Sequence, residues 1–152
     1  MIGTIHLFLT KIILKPLLLP KILPIYYFGL FLREVLLFIF KCDLSPLAEI
    51  PYSTKFPHYV GIVIGSCAIG ENCIIRPNVV IGRKDLEGEN EAFEQKRAKF
   101  PLIGSNVVIG SNVCILGPIR IGSNSIIGAG SVVINDVEEN SIYAGVPAKK
   151  IK

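Results

Sequence analysis

An all-β chain wound as a parallel β-helix of hexapeptide repeats is the fold this sequence predicts, on three observations. Ile103, Ile109, Ile115, Ile121, Ile127 and Val133 recur at a constant spacing of six, and four of them precede a glycine. The same beat runs upstream through Ile69, Ile75 and Ile81, and more faintly through Leu44, Ile50 and Phe56. Four residues beyond each beat comes a second small or aliphatic position: Cys73 and Val79 early, then Val107, Val113, Ile119, Ser125 and Ser131. A helix returns side chains every 3.6 residues and a strand every 2, so a lasting period of six fits neither element. It fits a chain that turns a corner every six residues, with three hexapeptides, about 18 residues, closing one coil. Both periodic positions then point into the prism, and glycine after the aliphatic residue permits the tight corner.

The elements follow in order. Residues 1–42 form an apolar, basic N-terminal segment in which Pro16, Pro20 and Pro24 rule out one long helix. Two helical pieces, Ile5–Leu14 and Ile25–Phe40, are expected instead. The longest uncharged run, Ile22–Leu32, is too short for a bilayer span, which needs about 20 residues. No basic n-region or small-residue cleavage site marks a cleaved signal. Residues 43–152 form the β-helix domain: coils run from Asp43 to Gly82, break at the loop 83–101, and resume from Leu102 to about Val137. Regular coils need no insertion, so a loop of that length is expected to serve function. The tail SIYAGVPAKKIK leaves the prism at Pro147 and ends basic.

Charge is as uneven as hydropathy. Lys11, Lys15, Lys21, Arg33 and Lys41 face only Glu34 in the first 42 residues, which carry the whole net charge of +4. The remainder holds eleven basic and eleven acidic side chains. A β-helix without basic excess does not suit nucleic acid. Two readings of the leader stand side by side: a peripheral anchor on the inner face of the cell membrane, or a helical pair packed on protein. Cys42, Cys67, Cys73 and Cys114 show no CxxC pairing, which points to reduced thiols in a cytoplasmic protein. A zinc centre is not expected, because the coils offer one histidine and no cysteine cluster.

Chemistry narrows to few residues. Of two histidines, His6 lies in the leader and His58 near a corner of an early coil. Asp43 precedes His58 by fifteen residues, three short of a regular coil, so stacking is expected to bring carboxylate and imidazole together. A carboxylate that fixes the tautomer and stabilises the imidazolium is the usual support of a general-base histidine.

With these residues in view, the chain resembles the serine O-acetyltransferase branch of the hexapeptide acyltransferases and its relatives from polysaccharide gene clusters. DLSPLAEIPYSTKFPHYVGIVIG is similar to the family segment that opens on the catalytic Asp and carries the catalytic His fifteen residues on. IGAGSVV with AGVPAKKI is similar to the closing signature, where the coenzyme A arm lies along the coils. The resemblance implies a left-handed winding, an exception to the right-handed rule for parallel crossovers. It implies His58 as general base and Asp43 as its orienting carboxylate, with direct transfer from acetyl-CoA and no acyl-enzyme. It sets Ser111 and Ala129, with Gly110 and Gly128 before them, against the pantetheine arm. Lys149 and Lys150 are expected to meet coenzyme phosphates, or else to form a solvated tail.

Two positions depart from the family. Pro57 replaces the Asp before the catalytic His, and Phe100 of KFPLI stands where the family has a second histidine that helps hold the amino acid. The expectation is therefore an acetyl-CoA-dependent O-acetyltransferase without metal, a homotrimer or a pair of trimers, with sites between subunits. Its expected acceptor is a sugar of a surface polysaccharide, with Phe100 and Pro57 at the acceptor position. Serine is the alternative acceptor, and a non-catalytic β-helix scaffold is the alternative class.

Overall fold

The computed structural model describes residues 41–83 and 100–152, together with Tyr27, Phe28, Phe31, Leu32, Glu34, Val35 and Phe38, whose backbone is helical. The expected helix Ile5–Leu14 and the body of the loop lie outside the described residues. Of the expected helix Ile25–Phe40, those seven positions are described.

From Lys41 onward the chain climbs a triangular prism whose three faces are ladders of very short strands. Face one stacks β1 (Asp43–Leu44), β2 (Val63–Ile64), β5 (Val80–Gly82), β8 (Cys114–Leu116) and β11 (Val132–Val133). Face two stacks β3 (Ala68–Ile69), β6 (Leu102–Ile103) and β9 (Arg120–Ile121). Face three stacks β4 (Ile74–Ile75), β7 (Val108–Ile109), β10 (Ile126–Ile127), β12 (Ile142–Ala144) and β13 (Lys149–Lys150). Every pairing is parallel except β12 with β13.

The hexad beat lines the interior. Ile75, Ile109 and Ile115 are fully buried, and the second inward position holds Cys73, Val79, Val107 and Val113 at 0–1 % exposure. Where that position is serine, the hydroxyl finds backbone: Ser131 Oγ donates to the Gly128 carbonyl at 2.6 Å, and Ser141 Oγ to that of Glu138 at 2.5 Å. A buried hydroxyl without a partner would be costly, so these local bonds are what let serine replace valine.

Register shows where the repeat is regular. Ile109 stacks on Ile127 and Ile115 on Val133, eighteen residues apart. The first coil is longer, because Asp43 stacks on Val63, and the next is shorter, because Val63 stacks on Val80. The extra residues sit in the corner 57–61, which contains Pro57 and His58, and Phe56 there is only half-buried against the core. Above Val137 the prism adds one more strand than expected. β12 stacks on β10 before the chain folds back as β13, and half-buried Tyr143 packs against the core.

Corners are held by left-handed backbone. Along the edge between faces two and three, Asn72, Asn106, Asn124 and Asn140 all have φ between 53° and 59°. Along the edge between faces three and one, Lys41, Gly61, Asn78, Asn112 and Gly130 adopt the same region, at 51° to 69°. Asparagine tolerates this conformation better than other residues with a side chain. Stacked amides bond from coil to coil: Asn106 to Asn124 at 3.0 Å and Asn124 to Asn140 at 3.2 Å. The GSN blocks thus encode both the corner and its vertical tie.

Candidate active site

The edge between faces three and one carries most of the expected site. Its corners are joined by backbone bonds from one coil to the next. Gly61 N–H donates to Lys41 O at 2.8 Å, Asn78 to Val60 at 3.0 Å, Asn112 to Pro77 at 3.0 Å and Gly130 to Ser111 at 2.8 Å. Three coil steps separate Gly61 from Gly130, which at the spacing of paired strands is about 14 Å.

His58 and Pro57 sit exposed at the lower end of this edge, in the corner that leads into β2. β2 stacks on β1, and Asp43 lies half-buried on the outer side of β1 beside the same edge. The histidine is therefore five residues short of the residue stacked on Asp43, not three, because the corner 57–61 lengthens the coil. Asp43 N–H donates to the Ile62 carbonyl at 2.8 Å, so strand and corner are tied by backbone.

Higher on the edge come the small residues. A Cβ on Gly110 would lie 2.6 Å from the Ala129 nitrogen, and one on Gly128 would lie 2.8 Å from Ala144 Cβ. Glycine is required at both, because the next coil passes too closely for a side chain. Ser111 is half-buried and Ala129 exposed, so with Ala144 they line a shallow strip of small groups rather than a deep pocket. Ala144 was not singled out from sequence. The signal was present in its AGVP block, but its stacking depends on the extra strand β12.

The two lysines part company. Lys149 is exposed and pairs in β13 with Ala144, which sets it at the top of the small-residue strip. Lys150 Nζ instead lies 2.5 Å from Glu138 Oε2, and that carboxylate raises its pKa. Lys150 is therefore already partnered by Glu138.

Phe100 stands elsewhere. It is half-buried where the loop rejoins the coil ahead of β6, on the edge between faces one and two. Within one chain it does not share an edge with His58. The reason is topological: the loop leaves after β5 on face one and returns to face two. The Arg83 guanidinium lies over the Phe100 ring, 5.8 Å from its centroid. Arg83 went unnoticed in the sequence, where it read as one charge among many at the loop boundary.

A groove of 690 Å³ lies on face two among Gly104, Arg120, Gly122, Asp136 and Glu139. It is on a different side of the prism from His58 and holds none of the expected residues. The thiols are quiet. Burial pushes Cys42 and Cys67 up to about 12 and raises Cys73 and Cys114 as well. Among the described residues, no group of three or more His, Cys, Asp or Glu is placed to hold a metal ion.

The coils are similar to those of known proteins. The bacterial transferase hexapeptide (six repeats) family model matches residues 100–135. A serine acetyltransferase of Haemophilus influenzae is 35 % identical over 122 residues, covering 80 % of this chain and 43 % of its own. Serine acetyltransferase 2 of Arabidopsis thaliana is 36 % identical over 115 residues, covering 75 % of this chain and 33 % of its own. Among solved structures, a Neisseria gonorrhoeae serine acetyltransferase superposes with a TM-score of 0.73 at 38 % identity, over 83 % of this chain and 46 % of that one. The Brucella abortus serine acetyltransferase in complex with coenzyme A gives 0.76 at 30 % identity, over 99 % and 54 %. The chain thus spans about half the length, or less, of the relatives it matches. Residues 100–135 are thus hexapeptide-repeat coils, the chain is similar to serine acetyltransferases over its β-helix, and its fold is the left-handed parallel β-helix.

Proposed function

We propose that the protein is an acetyl-CoA-dependent O-acetyltransferase in which His58 is the general base and Asp43 orients its ring. One observation carries this reading. A single prism edge runs from His58 through stacked corners to the Gly110, Ser111, Gly128 and Ala129 strip, in a chain similar to serine acetyltransferases. About 14 Å of edge lined by small residues suits an extended thiol-bearing arm laid along the coils, its acyl end toward His58. One relative's structure is a complex with coenzyme A, which supports acetyl-CoA as donor.

In this mechanism His58 removes the proton of an acceptor hydroxyl as its oxygen attacks the thioester carbonyl. The tetrahedral intermediate collapses, the acetyl group stays on the acceptor oxygen, and the coenzyme leaves as thiolate to take up a proton. Lys149, exposed beside Ala144 at the far end of the strip, is the cation we assign to the coenzyme's phosphates.

Serine is the acceptor that the relatives support, two of them being solved with serine bound. Arg83 above Phe100 supplies a cation where an amino-acid carboxylate has lost the family's histidine. A sugar acceptor remains the second reading, favoured by the apolar ring of Phe100, which suits the C–H face of a pyranose. His58 and Phe100 lie on different edges, so either acceptor needs a neighbouring copy to complete the site. Outward Val63 and Val80 on face one, 44 % and 38 % exposed, supply an apolar surface for that neighbour beside Asp43. A trimer, or two trimers, is the closed arrangement we propose to repeat this contact.

The test is release of free thiol from acetyl-CoA with L-serine and with a panel of sugars. Serine-dependent release supports the first acceptor, and release with a sugar alone supports the second. No acceptor-dependent release at all would remove the enzymatic reading and leave a scaffold.

A further inference from the structure

We propose that the helical segment before the coils is a membrane-surface contact, with an anionic lipid headgroup layer as its occupant. Tyr27, Phe28, Phe31 and Phe38 have helical backbone and are 61–74 % exposed. Tyr27, Phe31 and Phe38 are spaced by four and seven residues, the spacing at which side chains share one stripe of a helix. An exposed row of aromatic rings is unusual on a soluble surface and marks a contact. Four rings fit the interfacial zone, where an apolar body meets a polar boundary.

Charge decides among occupants. Residues 1–42 carry five cations and one acid, whereas residues 43–152 are balanced. Lys41 Nζ lies 4.2 Å above the Phe38 ring, so a cation sits beside the aromatic row where the chain enters the prism. An anionic surface attracts such a segment, and each basic residue near it adds to the attraction. A second copy docked here by the same segment would set five cations and one acid against an equal excess, which disfavours that pairing. No helix among the described residues is long and apolar enough to cross a membrane.

The experiment is sedimentation of the full chain with phosphatidylcholine vesicles, with and without phosphatidylserine, beside a Phe28→Ser/Phe31→Ser/Phe38→Ser variant. Wild type should bind the phosphatidylserine vesicles, and the variant should bind roughly tenfold less or weaker still. Light scattering and circular dichroism on both proteins verify that the coils and their assembly are unchanged. Equal vesicle binding by the two proteins overturns the proposal. So does absence of vesicle binding with a smaller particle mass for the variant, because the rings would then join copies of this chain. Neither outcome bears on thiol release from acetyl-CoA, so this inference and the proposed activity fail separately.

Discussion

Asn78 donates its side-chain amide to Asn112 Oδ1 at 3.1 Å, although the two are separated by 34 residues and the whole loop. Both have left-handed backbone, and each occupies the same corner of successive coils. The insertion therefore leaves the register of the edge undisturbed, and the edge that carries His58 continues straight through it.

That ladder predicts a graded response. Asn112→Ala puts an ordinary side chain at φ 58° and removes the amide tie. It should lower unfolding free energy by about 1–2 kcal/mol. Asn112→Gly, which relieves the backbone strain, should cost less. Equal losses in urea unfolding would show that the side-chain tie dominates and the conformation matters little.

The interior predicts a larger effect. Ile109 is fully buried in the middle of the stack. Ile109→Ala should cost about 2–5 kcal/mol, because coils above and below cannot close the cavity. Exposed Ile126, its neighbour on the outer side of face three, should tolerate alanine within about 0.5 kcal/mol in the isolated chain.

Cys42 and Cys67 predict an alkaline limit. Burial, with the nearby carboxylates Asp43 and Glu49 adding to it, raises both from 9.0 to about 12 in the folded chain. A folded pKa above the unfolded one means that the stabilisation is complete below pH 9.0 and disappears as pH rises toward 12. Denaturation midpoints should fall over that window, and Cys67→Ala should flatten the fall. An unchanged slope in the variant would assign the alkaline loss to other groups.

Arg83 predicts acceptor choice. If it binds a carboxylate beside Phe100, Arg83→Gln should raise KM for serine while leaving that for acetyl-CoA unaltered. A pure change in kcat with unaltered KM would place Arg83 in structure or release instead.

The coils were legible in the sequence because the interior tolerates only small or aliphatic groups at two positions in six. Ile103 to Val133 carry that constraint without interruption, and each is buried as the spacing requires. The first coil was misjudged by two residues. Its corner at Pro57 and His58 is irregular, and no interior side chain is repeated there to reveal the count. Ala144 was missed because β12 is fixed by pairing with β10, a contact sixteen residues distant. The Arg83–Phe100 contact closes over a loop, and no periodic signal spans it. The Lys150–Glu138 pair was not legible either, because a sequence does not show that Glu138 lies in the corner that leads into the neighbouring strand.

The central claim is that His58 removes the acceptor proton, and one measurement tests it most directly: acceptor-dependent thiol release by His58→Ala, with coenzyme A binding measured in parallel. The account predicts a loss of about three to four orders of magnitude in kcat with coenzyme affinity retained. Near-normal turnover by His58→Ala on an acceptor the wild type uses would contradict it.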